Sequence, residues 1–252
     1  MITAYHRPKT LDEALTLLTQ PNRTPMGGGT LLSKASTDAI EAVDLQSLGL
    51  DTIEKQGNSL KIGATVTLQQ LLESEHCPDA LKSAIKLEAP LNLRNAATVA
   101  GTLVSGDGRS TLGTVLLALD AKIEQMKLDN SKIESRVSNI GDFLPIRNTQ
   151  EWLITSTTLP LNVKLAFDYV SRTPADKPIV CAAVAQWNSG RTRLALGGYG
   201  QTPLLAMDGT EAEGIQTAAR NAFHEATDEY GSAEYRMNVA ATMAKRCLES
   251  IS

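Results

Sequence analysis

Pro25-Met26-Gly27-Gly28-Gly29-Thr30-Leu31-Leu32 carries a strand-like Thr24-Pro25-Met26 straight into three glycines closed by a threonine, and its reading decides how the rest of the chain is organised. Glycines have no Cβ, so such a loop turns tightly and lets its backbone N–H groups approach an anion closely. Diphosphate is the commonest biological ligand of that arrangement. The stretch has neither the Walker spacing with its lysine nor the G-x-G-x-x-G of dinucleotide folds, so a plain tight turn remains the competing reading.

Working outward, Thr10 and Glu13 form a T-x-x-E capping box that opens a helix within Arg7 to Gln20, with Leu11, Ala14, Leu17 and Leu18 on one face. Downstream, Ala42-Val43-Asp44-Leu45 reads as a strand, giving strand–helix–strand with a glycine loop. A second unit begins near Leu50: Leu60-Lys61-Ile62-Gly63-Ala64 alternates like a strand, and Thr67 introduces a helix through Leu68, Leu71 and Leu72. A second small-residue turn follows at Thr98-Val99-Ala100-Gly101-Thr102. The apolar run Val115-Leu116-Leu117-Ala118-Leu119 fits a helix or a buried strand equally well on pattern alone.

From Trp152 the texture changes to successive strands, Trp152-Leu153-Ile154-Thr155, Ile179 to Ala185 and Thr192 to Leu196, before two helices. The last of these runs from about Ser232 to Glu249 with Tyr235, Val239, Met243 and Cys247 spaced by four. The expected division is therefore 1–50, 51–150 and 151–252, an α+β chain whose final part is an antiparallel sheet plus helices.

With 24 basic against 28 acidic residues and the signs interspersed, no cationic block is available to follow a phosphate backbone, so nucleic acid is not an expected partner. No apolar segment approaches the ~18–20 residues of a transmembrane span and the N-terminus has no signal-peptide pattern, so the expected location is cytoplasmic. Cys77, Cys181 and Cys247 lie far apart, and an iron–sulfur cluster normally needs four cysteines; the chain is not expected to hold one alone. His6, His76 and His224 show no metal-ligand spacing, and no nucleophile elbow or H-E-x-x-H helix is present.

Four segments together resemble the FAD-binding, medium subunit of molybdenum hydroxylases of the xanthine dehydrogenase and aerobic carbon monoxide dehydrogenase type. Tyr5 to Leu15 resembles the family's aromatic–Pro–capped-helix start. Gly28-Gly29-Thr30 within Pro25 to Leu32 resembles its first pyrophosphate loop, A-G-G-T-D-L. Arg94 to Thr102, leading into Leu116-Leu117-Ala118-Leu119-Asp120-Ala121, is similar to its second loop, R-N-x-x-T-I-G-G-N, and the L-L-A-L-D-A behind it. Tyr230 to Arg236, with Arg246-Cys247-Leu248, resembles the closing helix.

The resemblance implies a two-part FAD-binding domain of the p-cresol methylhydroxylase type, followed by a flavoprotein C-terminal domain. It implies FAD as cofactor, its diphosphate held between the loops by N–H groups of Gly28 to Leu32 and Val99 to Thr102, with Thr30 and Thr98 adding hydroxyls. The implied cofactor contacts are Met26, Gly27, Gly28, Gly29, Thr30, Leu31, Leu32, Thr98, Val99, Ala100, Gly101, Thr102, Asp107, Thr111 and Ile154, with no catalytic side chain and no metal ligand. The implied partners are a molybdopterin-binding large subunit, a [2Fe–2S] small subunit and an external acceptor such as NAD or a quinone. Ala100 and Thr111 stand where the family has glycine and aspartate, and Asp168 where lysine is frequent. These motivate a second reading, a scaffold or assembly subunit without FAD.

Overall fold

Thr10, in extended conformation, accepts a hydrogen bond from Glu13 N at 3.2 Å and so starts the helix the sequence predicts. The Glu13 carboxylate accepts from Lys9 N at 2.9 Å, one residue before the cap, so the predicted box closes on its neighbour. The computed structural model describes residues 1–34, 37–149 and 151–251. Its first unit holds β1 (Ile2–His6), α1 (Leu11–Leu18), β2 (Arg23–Met26) and β3 (Ile40–Asp44), a parallel sheet in the order β1-β3-β2. Helix α1 buries Ala14 and Leu15 against Val43, Leu45 and Leu153.

The middle unit contains β4 (Ile53–Gln56), β5 (Ser59–Gly63), α2 (Leu68–Glu73), α3 (Asp79–Glu88), α4 (Leu91–Arg94), α5 (Val99–Ser105) and α6 (Thr111–Ala118). It continues through β6 (Lys122–Asp129), β7 (Lys132–Asn139), α7 (Ile140–Phe143), a 3-10 turn over Leu144–Thr149 and β8 (Leu153–Pro160). Its strands form one antiparallel sheet in the order β4-β5-β8-β6-β7. The strand at Leu153, grouped by sequence texture with the later ones, is thus the central strand here: alternation identifies a strand but does not say which sheet will take it.

The ambiguous run around Leu116 is helix α6. Ser110 caps it through Gly113 N at 3.0 Å, and Leu112 N donates to Glu88 Oε2 at 2.8 Å. Every residue from Thr111 to Ala118 is buried, so no polar face exists to give a helical period. At about 2 kcal/mol per fully buried leucine, α6 is a large share of the middle core.

The C-terminal unit has β9 (Val163–Val170), β10 (Val180–Trp187), β11 (Thr192–Gly197), β12 (Leu204–Gly209), α8 (Ile215–Ala222) and α9 (Ala233–Ile251), with an antiparallel sheet ordered β12-β11-β10-β9. Ala183 and Ala185 join the middle core, while Ala182 and Val184 join the core under α8 and α9. Burial on both faces explains why β10 reads as an unbroken apolar run. Alanines on the inner face let α6 pack close; a Cβ on Gly197 would lie 2.4 Å from Thr114 Oγ1. On α9 the buried stripe is Arg236, Ala240, Met243, Ala244 and Cys247, and Tyr235, which the spacing placed inward, is 41% exposed. Among the described residues no helix is long and apolar enough to cross a membrane.

Candidate functional site

The three glycines after β2 serve different ends. A Cβ on Gly27 would stand 2.7 Å from Thr98 Oγ1, and one on Gly28 only 1.5 Å from the Ala96 carbonyl oxygen, so the first loop lies directly against the second. Gly29 has φ +69, the left-handed region that disfavours side chains. Beyond it the chain closes on itself: Ser33 N and Ser33 Oγ both donate to Gly29 O, at 2.9 and 2.7 Å. The backbone N–H groups from Gly27 through Leu32 find no acceptor among the described residues.

The second loop is fixed from behind. Leu68 N donates to Ala97 O and Val99 N to Val66 O, each at 2.9 Å, pinning residues 97–99 to the start of α2. Thr98 then N-caps α5, accepting from Gly101 N at 3.1 Å, while Thr102 N donates to Thr98 O. This corrects part of the expected donor set. The N–H groups of Val99, Gly101 and Thr102 are committed within the protein, and only that of Ala100 among them lacks an acceptor in the described residues. Ala100 itself lies in the first turn of α5 and is not among the residues with positive φ, so an alanine is accommodated there without backbone strain.

Between the loops lies an open cleft of about 360 Å³. Of the residues singled out from sequence, Met26 to Leu32, Thr98, Ala100, Gly101 and Ile154 line it. Val99 turns into the core, and Thr102 is buried with its hydroxyl donating back to Thr98 O at 2.8 Å. Asp107 lies elsewhere, accepting from Arg109 N at 2.9 Å and pairing with Lys177 at 3.4 Å. Thr111 is buried on α6, its hydroxyl 2.7 Å from Ala84 O and 3.1 Å from Glu88 Oε2. It secures the start of a helix and does not reach the cleft. Asp168 is also remote, with its carboxylate 3.3 Å from Arg246 Nε.

The structure adds Phe143, Arg147, Asn148 and Trp152 to the cleft. Arg147 is buried and donates to four main-chain carbonyls; burial lowers its pKa from the ordinary arginine value, an effect that Asp107 partly offsets. Its signal in the sequence was a lone cation after the apolar Phe143-Leu144-Pro145-Ile146. Trp152 sits under the guanidinium of Arg136, 4.2 Å from the ring centroid. A second, more polar cavity of about 590 Å³ shares Pro25, Trp152 and Leu153 with the first, so the groove continues past the tryptophan. The combination of unpaired N–H donors, small residues in contact and apolar walls suits a long, flat ligand with a compact anionic centre.

Residues 1–162 match the model of a family described as the FAD binding domain in molybdopterin dehydrogenase. The Escherichia coli K12 protein YgfM is 29% identical over 251 residues, covering 96% of this chain and 94% of that protein. The carbon monoxide dehydrogenase medium chain of Afipia carboxidovorans is 26% identical over 274 residues, covering 97% and 95%. In three dimensions the chain superposes on a chain of reconstituted CO dehydrogenase from Oligotropha carboxidovorans with a TM-score of 0.82 at 24% identity, covering 98% of this chain and 96% of that one.

Proposed function

Since the chain belongs to the family of FAD-binding domains of molybdopterin dehydrogenases, we propose that it is the FAD-carrying, electron-transferring subunit of a molybdenum hydroxylase complex. One observation carries the reading. A glycine loop with unpaired N–H groups touches a second, helix-capping loop across the mouth of an open cleft.

The residues fit the cofactor. Gly27 and Gly28 leave no side chain between the loops, Thr30 and Thr98 line the cleft together with the loop whose N–H groups lack an acceptor among the described residues, and no carboxylate lines it among those residues. Met26 to Leu32, Thr98, Ala100, Gly101 and Ile154 are the proposed contacts, with Ala100 N as the main donor from the second loop. Bound FAD supplies the redox chemistry; the chain binds it, orients it and shields it.

On this reading electrons come from the [2Fe–2S] centres of a small partner subunit, are drawn from substrate on a molybdopterin-binding large subunit, and leave to NAD, a quinone or another external acceptor. The chain has three cysteines, Cys77, Cys181 and Cys247, fewer than the four a cluster normally takes, so the clusters would be held by a partner. The complex would work in the cytoplasm. The FAD-binding part would divide near residue 50 and extend past β8, with the C-terminal flavoprotein domain following.

Purification of the full chain and titration with FAD tests the proposal. At a hundredfold excess over Kd, binding stabilises by about 2.7 kcal/mol, raising the melting temperature by about 5–10 °C, with flavin absorption retained on the protein. A colourless chain whose melting temperature ignores added FAD overturns it in favour of the scaffold reading, which the substitutions at Ala100, Thr111 and Asp168 motivate.

A further inference from the structure

We propose that Arg147 is the electrostatic positioning residue of this cleft, one guanidinium that fastens three separate segments around the site and supplies the positive charge felt by the bound dinucleotide. The inference rests on the FAD reading above and deepens it.

Three arginines are buried: Arg147, Arg193 and Arg236. Arg193 is paired with Asp120 at 2.8 Å and Asp208 at 2.9 Å, and Arg236 with Asp228 at 2.6 Å. Arg147 differs. Its Nε donates to Val104 O at 3.2 Å, Nη1 to Leu144 O at 2.5 Å, and Nη2 to Gly106 O at 2.6 Å and Gln201 O at 2.8 Å. Every one of these acceptors is a neutral carbonyl, and no carboxylate among the described residues lies within ion-pair distance. The nearby acid, Asp107, is engaged with Lys177.

A desolvated charge with no acid at ion-pair distance is costly, and carbonyl dipoles together with the more distant Asp107 offset only part of that cost. Among the described residues lining the cleft, Arg147 alone is charged. A ligand with a dianionic diphosphate entering the same cleft supplies what the free protein lacks. The four carbonyls come from the far end of α5, the turn before β8 and the C-terminal unit. The cation is therefore also the fastener that holds the cleft's walls in register. Val104 lies about 6 Å along α5 from Ala100, so the guanidinium bound to its carbonyl stands about one helical turn from the loop that would grip the diphosphate. A flavin that gains negative charge on reduction is favoured by a fixed cation in the same low-dielectric groove.

The test compares the full-length wild type with Arg147→Lys and Arg147→Met. It measures FAD affinity at low and high salt, melting temperature without FAD, and the reduction potential of the bound flavin. Arg147→Met should weaken FAD by at least about ten-fold, as expected for removing the one charge that lines the cleft, flatten the salt dependence and make the potential more negative. Arg147→Lys should restore the potential and the salt dependence while recovering affinity only in part, because it lacks the fork. If Arg147→Met does not fold, Arg147→Gln carries the same readouts. Met or Gln variants that bind FAD within two-fold of wild type at an unchanged potential overturn the proposal. Equal weakening in Lys and Met variants, at the wild-type potential, overturns the charge role. A wild type that takes no FAD is a separate result and sinks the cofactor reading itself.

Discussion

Gly28 and the carbonyl oxygen of Ala96 are in such close contact that a single added carbon on Gly28 would lie 1.5 Å from that oxygen. The obstacle is backbone on both sides, so it cannot be relieved by rotating a side chain. Gly28→Ala should push the loops apart, cost about 1–3 kcal/mol of stability and weaken FAD by more than ten-fold. Gly29→Ala makes a useful contrast. Its Cβ would meet nothing nearer than Met26 Sδ at 3.5 Å, an ordinary contact, and the strain of its positive φ costs about 1 kcal/mol. Fluorescence titration of both variants checks the order; equal loss in the two would show that loop contact is not what matters.

Thr98→Ala removes the cap of α5 and the partner of Gly101 N. The expected cost is about 1 kcal/mol, seen as a fall of about 2–4 °C in melting temperature, with Thr98→Ser close to wild type. Should serine fail as badly as alanine, the methyl group's packing and not the cap would be the determinant.

Arg236 is fully buried, donating to Ile179 O, Ala226 O and Gly231 O as well as to Asp228. Arg236→Met strands these acceptors and should cost about 3 kcal/mol, the low end for breaking a buried pair because Asp228 keeps some solvent access. Chemical denaturation measures it directly.

The same pair sets an acid limb. Burial opposes ionisation of Asp228, but the Arg236 guanidinium and the N–H groups of Tyr230 and Gly231 outweigh it and hold the carboxyl below its usual range. A folded pKa below the unfolded one means that the stabilisation is complete above about pH 4 and is lost as pH falls through the folded value. Melting temperatures of wild type and Asp228→Asn should therefore converge below pH 4; a constant gap down to pH 3 would refute the assignment.

Burial pushes Cys77, Cys181 and Cys247 up to about 12. Their thiols should not react with an aromatic disulfide reagent at pH 8 in the native chain, and all three should react after unfolding. Rapid modification of any one in the native state would show that its site opens.

Much of this architecture is legible in the amino-acid order because short-range chemistry dictates it. Thr10 and Thr67 announce their helices through the side-chain caps they make, and the glycine loop announces a close approach. What escaped depends on distant partners. The β6–β7 hairpin turns on Asn130 and Ser131, both with positive φ, but lacks the Asn-Gly that advertises such a turn. Thr111 matched a motif position, yet Glu88 and Ala84, more than twenty residues away, claim its hydroxyl. Arg147 and Arg236 sit at core positions where no pattern rule expects a cation, because their acceptors are carbonyls brought together only by the fold.

The place of β8 has a consequence for biosynthesis. Because the last strand made in the middle sheet is the one that lies at its centre, β5 must wait with an unpaired edge through the nearly one hundred residues from Gly63 to Pro160, and β6 through the roughly thirty from Asp129 to Pro160. The cleft itself is complete only after that keystone arrives, since Leu153 and Ile154 form one of its walls. Any delay in translation just upstream of it would lengthen the interval in which two adhesive edges stand open to other chains.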